Sequence, residues 1–185
     1  MSSSYRSEEA GYSMARRLVA ATAALAALGL IVGCSASDDK KDYDVPRALC
    51  GVSVDPDLVS PFLPAGEKIR MSETRPVPSR KNCRVDVDGK WALMANLEWW
   101  GDDTSISTVA SGNPQLEKAQ LSPDGNVYSG TGAVALVDGC KNPRHAQQLL
   151  FTSLRVRDPD LGDVSAMKKL ATTYTEAVGR SDECP

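Results

Sequence analysis

From Cys83 to Trp99 the chain reads CRVDVDGKWALMANLEW, and no other segment constrains the fold as tightly. Cys83, Val85, Trp91, Leu93, Ala95, Leu97 and Trp99 fall on odd positions and are apolar, while Arg84, Asp86, Asn96 and Glu98 are polar. That two-residue period belongs to strands with one buried and one open face. Asp88-Gly89 marks a turn between two such strands. A two-residue turn would pair Val85 with Ala92 and set odd positions against even ones, splitting the apolar face. A three-residue turn with Gly89 left-handed pairs Val85 with Trp91 and Asp86 with Lys90, keeping the face whole and opposing unlike charges. The expectation is therefore a three-residue hairpin with a glycine bulge. By the same alternation Trp91 and Trp99 point into the core. Trp100 points the other way, partly exposed beside Gly101-Asp102-Asp103, and is the candidate contact residue for a binding partner.

The flanking elements follow from shorter signals. Asp55 is placed to cap a helix with Pro56 at its first position, and Pro61 and Pro64 end it within about two turns. Arg75 to Lys81, RPVPSRK, is too proline-rich and basic for a strand. Thr104 to Val109 reads as a continuing strand, Ser111 to Gln115 and Ser122-Pro123-Asp124-Gly125 as turns. Ala133 to Val137 and Leu149 to Val156 read as strands, the latter with Leu150, Leu154 and Val156 on one face. Asp163 to Val178 reads as a closing helix. Val164, Met167, Leu170, Ala171, Tyr174 and Val178 recur at helical spacing, Asp163 caps the start and Gly179 ends it. The fold class is α+β: a single domain from Ala48 to Pro185 in which an antiparallel sheet packs with a C-terminal helix. With 42% of the chain hydrophobic, its length of about 138 residues supports one core.

Composition narrows the chemistry. A net charge of −3 gives no positive field for neutralising phosphates, so no nucleic-acid partner is expected. The one histidine, His145, lies in the polar turn Lys141-Asn142-Pro143-Arg144-His145 and reads as an exposed loop residue. Ser165-Ala166-Met167-Lys168 fits the S-x-x-K pattern of penicillin-binding enzymes. No K-T-G or S-D-N accompanies it, and the nearest look-alike, Gly130-Thr131-Gly132, precedes it, so these read as residues of a helix surface. Asp86 with Asp88, and Asp158 with Asp160 and Asp163, offer oxygens of the kind that bind calcium. Arg84 stands where a calcium loop needs an acid, and the second cluster lacks the later glutamate, so both read as turns. No close cysteine pair suits zinc. The expectation is a protein with no catalytic set, no metal and no cofactor.

At the N-terminus, Arg16-Arg17 precede an apolar run from Leu18 to Val32, the layout of a secretory signal. As a helix, the run of about 15 residues reaches roughly 22 Å, short of the roughly 30 Å core of a bilayer. Glu8 and Glu9 suit an export signal poorly, which leaves Met14 as an alternative start to Met1. Arg16-Arg17 also admits a twin-arginine route, although Leu18-Val19-Ala20 lacks the polar context of that signal and favours general secretion. Leu30-Ile31-Val32-Gly33-Cys34 resembles the lipobox of bacterial lipoproteins. The resemblance implies cleavage before Cys34, a diacylglyceryl group on its thiol and acyl chains of the palmitate class, and two chains hold a protein on a membrane stably. The implied division is a signal peptide over 1–33, lipidated Cys34 with a flexible tether over 34–47, and the domain over 48–185. Without residues 1–33 the net charge is about −4, so lipid and not headgroup attraction provides the anchor.

Four cysteines then remain in an exported chain, Cys50, Cys83, Cys140 and Cys184, and they admit three pairings. Cys50 with Cys83 and Cys140 with Cys184 is expected, because each pair brackets one half of the domain and leaves the halves separable. The lipobox, Leu49-Cys50-Gly51, the short helix running into Leu63-Pro64-Ala65-Gly66, Asn82-Cys83-Arg84-Val85, the later Cys140 and the final helix into Cys184 together resemble a group of small actinobacterial exported lipoproteins. The resemblance implies a location, the extracytoplasmic face of the cell membrane, and an α+β shape. It supplies no catalytic residues. The functional expectation is a membrane-anchored envelope protein acting as a non-catalytic binding or scaffold module, with an envelope protein or small ligand as partner. The alternative is an extracytoplasmic sensor or carrier of a small hydrophobic ligand, with an apolar pocket between sheet and helix.

Overall fold

Cys83 to Trp99 folds as two neighbouring strands of an antiparallel sheet in the computed structural model, which describes residues 40–117 and 119–185. The apolar run, Gly33 and Cys34 lie outside the described residues. Six strands form this sheet in the order β3-β4-β5-β8-β7-β6: β3 is Ile69–Val77, β4 Arg80–Val87, β5 Lys90–Gly101, β6 Val127–Tyr128, β7 Gly132–Leu136 and β8 Gln148–Val156. Ahead of them, β1 (Ala48–Leu49) and β2 (Val52–Ser53) make a small ribbon, and α1 (Pro56–Val59) follows with Asp55 as its cap. Between β5 and β6 lies α2 (Ile106–Ser111), and α3 (Val164–Gly179) closes the chain. The α+β architecture with a C-terminal helix and two disulfides is the one the sequence predicts.

The β4–β5 hairpin reaches its register by another route than the predicted one. Asp88 (φ 48°) and Gly89 (φ 75°) are both left-handed, the mark of a two-residue turn whose twist matches its strands. Val87 therefore faces Lys90 and Asp86 faces Trp91; the register then shifts, so that Val85 faces Leu93 and Cys83 faces Ala95. The apolar face stays whole because the extra residue sits in β5 beside Trp91 and Ala92, not in the turn. The price is that Trp91 leaves the core and stands half-buried, contrary to the expectation from alternation.

The inner face of the sheet carries the main core. Val85, Leu93, Leu97, Leu150 and Leu154 meet Met167, Leu170, Tyr174 and Val178 of α3, with Phe62, Leu63 and Leu49 closing the side. On the outer face α2 and the 3₁₀ turn Pro114–Leu116 cover only one part, where Val109, Leu116, Val134 and Phe151 form a second cluster. Over β3, β4 and β5 the outer face stays open: Arg84 is exposed, and Met94 and Glu98 are half-buried although β5 is central.

Three further expectations need correction. Arg75 to Lys81 is the end of β3, a tight turn at Pro78-Ser79 and the start of β4; Pro76 is tolerated because it lies on an edge strand at a register shift, where its missing N–H breaks no ladder. Thr104 to Val109 enters helix α2 instead of a strand, because the Ser105 hydroxyl accepts from the Thr108 N–H at 3.2 Å and starts the turn. Residues 41–47 belong to the domain and not to a free tether. The Asp42 N–H donates to the Gly66 carbonyl at 2.8 Å, Tyr43 donates to the Pro64 carbonyl, and Tyr43 and Val45 pack on the core. Burial, and then the charge of Asp88, pushes the Tyr43 phenol up to about 12.

The disulfides are Cys50–Cys83 and Cys140–Cys184, with Cα atoms 5.6 and 5.2 Å apart. The pairing is the expected one, but the halves are not separable, since β5 pairs directly with β8. Each bridge instead pins an irregular segment of the domain: the first holds the β1–β2 turn on β4, and the second holds the chain end after α3 to the loop after β7.

Candidate binding site

One end of the sheet gathers the β4–β5 turn, the segment Pro64–Gly66 and the chain leaving β8. Between them lies a cleft of about 440 Å³ whose lining includes Pro64, Lys90, Trp91, Arg157 and Pro159. Its geometry begins with Asp88, which the left-handed turn aims back at the preceding loop. The Asp88 carboxylate accepts from the backbone N–H groups of Lys68 at 2.9 Å and Glu67 at 3.2 Å. Gly66 lets that loop close in, since a Cβ there would lie 2.5 Å from Asp88 Oδ2. The bulge in β5 then turns Trp91 to the cleft. Asp158 Oδ1 is occupied by the Asp160 N–H at 3.0 Å. The ion pairs among the described residues involve neither Lys90 nor Arg157. The cleft thus offers an aromatic wall and two uncommitted cations beside carboxylates that already hold backbone donors.

At the opposite end, Trp99 is buried as predicted and His145 is not the exposed loop residue expected. The imidazole stacks on the Trp99 indole, centroids 4.3 Å apart and planes 6° from parallel, and its Nδ1 lies 2.6 Å from Gln148 Oε1. Beside them, Glu183 receives Lys81 at 3.0 Å and Arg75 at 3.1 Å. Burial pushes the Glu183 carboxyl up, but the hydrogen bond and charge of Lys81, then those of Arg75, outweigh it and hold its pKa below the ordinary value. Among the described residues no hydroxyl or thiol hydrogen-bonds His145, and these charges are spent on one another.

Trp100 stands where alternation puts it, half-buried on the outer face opposite Trp99, paired in register with Leu149 of β8 and packed against the second cluster. Its indole N–H is shielded and has no acceptor among the described residues, and the Asn96 carbonyl two positions along the same face has no donor. A second depression, of about 490 Å³, lies beside α2 and includes Ala110, Leu116, Leu121 and Val127. The alternative reading places an apolar pocket elsewhere, between sheet and C-terminal helix, but that interface is filled, with Met167 and Leu170 both 0% exposed.

The remaining candidates are dispersed. Lys168 turns from Ser165 to Asp124, at 2.7 Å, and its hydrogen bond holds the Asp124 carboxyl below the ordinary value. Asp86 pairs with Arg84 at 2.6 Å, and Asp163 caps α3 by accepting from the Ala166 N–H at 2.7 Å. Among the described residues no three His, Cys, Asp or Glu side chains converge as a metal site would require, and no helix is long and apolar enough to cross a membrane. What the sequence missed is the Trp91 cleft, whose walls come from three distant segments. No protein-family profile, curated protein or solved structure matches this chain.

Proposed function

We propose that the mature chain is a non-catalytic binding or scaffold module held on the extracytoplasmic face of the cell membrane by acylated Cys34. The division of the five cysteines carries this reading: four close two bridges within the domain, and Cys34 stands outside both, directly after an apolar run and Gly33. Disulfides persist in oxidising compartments, and a pair of acyl chains keeps a protein on its bilayer. Stapled in this way, the domain presents a rigid sheet face to other envelope molecules, with Trp100 as the side chain of the type that anchors such contacts.

Growth with an alkyne-bearing fatty acid tests the anchor: the wild type takes up the label and Cys34→Ala does not. An unlabelled wild type, or equal labelling of the variant, overturns the reading. Cross-linking in intact envelopes tests the contact, with at least tenfold less product expected from Trp100→Ala. A second reading, a carrier of a small hydrophobic ligand, is favoured by the groove beside α2. It predicts a concentration-dependent rise in melting temperature with such ligands, which Leu116→Trp removes.

A further inference from the structure

We infer that the end of the sheet bearing Lys90, Trp91 and Arg157 faces the membrane, and that its cleft receives phospholipid headgroups. The inference rests on the acylation of Cys34 proposed above. Six peptide steps separate Cys34 from Lys40, and an extended chain covers at most about 3.6 Å per residue, so Lys40 stays within about 22 Å of the acylated cysteine. Lys40 is itself fixed to the domain, since its carbonyl accepts from the Gly66 N–H at 3.2 Å. Gly66 adjoins Pro64 and Ala65, which line the cleft. The opposite end of the sheet lies one β5 length away, about 40 Å for a strand of this size. Standing the domain on that end would lift Lys40 about 40 Å from the bilayer, farther than the tether reaches. The tether therefore excludes the opposite end from the bilayer and keeps the Trp91 end within its reach.

The chemistry of that end suits an interface. An indole prefers the headgroup level, where its ring meets acyl chains and its N–H meets water. Lys90 and Arg157 flank it outside every ion pair of the described residues, beside the Asp88 and Asp158 carboxylates, which turn oxygens to the backbone N–H groups of Lys68 and Asp160, and guanidinium and ammonium groups both bind phosphate oxygens. Val164, 57% exposed, opens α3 just after β8 turns back at this same end. The domain is acidic as a whole, so charge does not recruit it. The anchor does, by raising the effective concentration of headgroups around the cleft into the millimolar range, where a weak site fills.

The test uses the protein purified from membranes, its acyl group checked by intact mass, in phosphatidylcholine vesicles containing phosphatidylglycerol and a lipid spin-labelled on its headgroup. With three tryptophans in the chain, quenching of up to about a third of the emission is expected from Trp91, and Trp91→Phe abolishes it. Lys90→Gln combined with Arg157→Gln keeps the indole and lowers the quenching at least twofold. Equal quenching in the wild type and Trp91→Phe, with the acyl mass present, overturns this inference alone. Unchanged quenching in the double variant overturns the headgroup site. A protein without the acyl mass overturns the proposed anchor and this inference together.

Discussion

β5 runs between β4 and β8 with Leu93, Ala95, Leu97 and Trp99 buried on its inner side, while β3, at the edge of the same sheet, keeps every residue after Ile69 exposed. Both are regular strands, held by different means. β5 answers to two ladders and to α3, so its side chains are specified one by one. β3 answers to one ladder and to a few ion pairs, Arg75 with Glu183 and Glu73 with Lys81 among them. Its charges and Pro76 blunt an edge that would otherwise recruit another strand. Burial thus writes the energy into the centre of the sheet, and the edge carries solubility.

The contrast is open to experiment first at Cys83, on β4 between the two strands. Replacing Cys50 and Cys83 by serine opens a bridge spanning 33 residues, which chain entropy values at about 4 kcal/mol. Urea titration of the double variant checks this, and a loss under about 1 kcal/mol would mean that β4 holds the β1–β2 turn without the bridge. Next comes Leu97→Ala on β5. Leu97 is 2% exposed, and its truncation leaves a cavity in the main core that costs about 3 kcal/mol, read as a shifted midpoint with an unchanged slope.

The same contrast decides what could be read in advance. β5 and α3 were legible because each buries one face, and burial imposes a period: two along Leu93 to Trp99, and helical from Met167 to Val178. Asp163 marked the start of α3 as a cap. β3 was illegible because an exposed strand selects no apolar period, and RPVPSRK showed only its edge-strand proline and basic residues. α2 misled through Ile106 and Val109, β-branched residues in a six-residue helix that Ser105 starts and the second cluster holds. The hairpin was legible in its purpose, one unbroken apolar face, but not in the place of its bulge. That placement moves Trp91 from core to cleft. The cleft's other walls, Pro64 and Arg157, are brought to it by the fold from opposite ends of the domain sequence.

A smaller effect is expected at Glu183, which ties β3 and β4 to the end of the chain. Its folded pKa is held below the ordinary 4.5, so its stabilisation is complete above that value and is lost as pH falls through the folded value. Glu183→Gln should therefore cost about 1 kcal/mol at neutral pH, the upper end for a partly exposed pair. The difference from wild type should shrink steadily below pH 4.5, because there the native carboxyl loses the charge that the variant never had. Denaturant midpoints measured across the acid range check the sign. A gap that widened on acidification would reverse it.

The smallest effect should come from the edge itself. Met71 and Val77 are 41% and 48% exposed, so Met71→Ser and Val77→Thr remove little buried surface, and each should move stability by less than about 0.5 kcal/mol. Neither side chain lies on a strand that pairs with β5, since β4 stands between them. Combining Met71→Ser with Leu97→Ala should then give a loss additive to within about 0.5 kcal/mol. A coupling larger than that would show that β3 transmits packing through β4 into the core, and the division between an energetic centre and a soluble edge would have to be redrawn one strand farther out. Additivity would place the boundary at β4, where the inner side chains Cys83 and Val85 are buried and Arg84 between them is exposed.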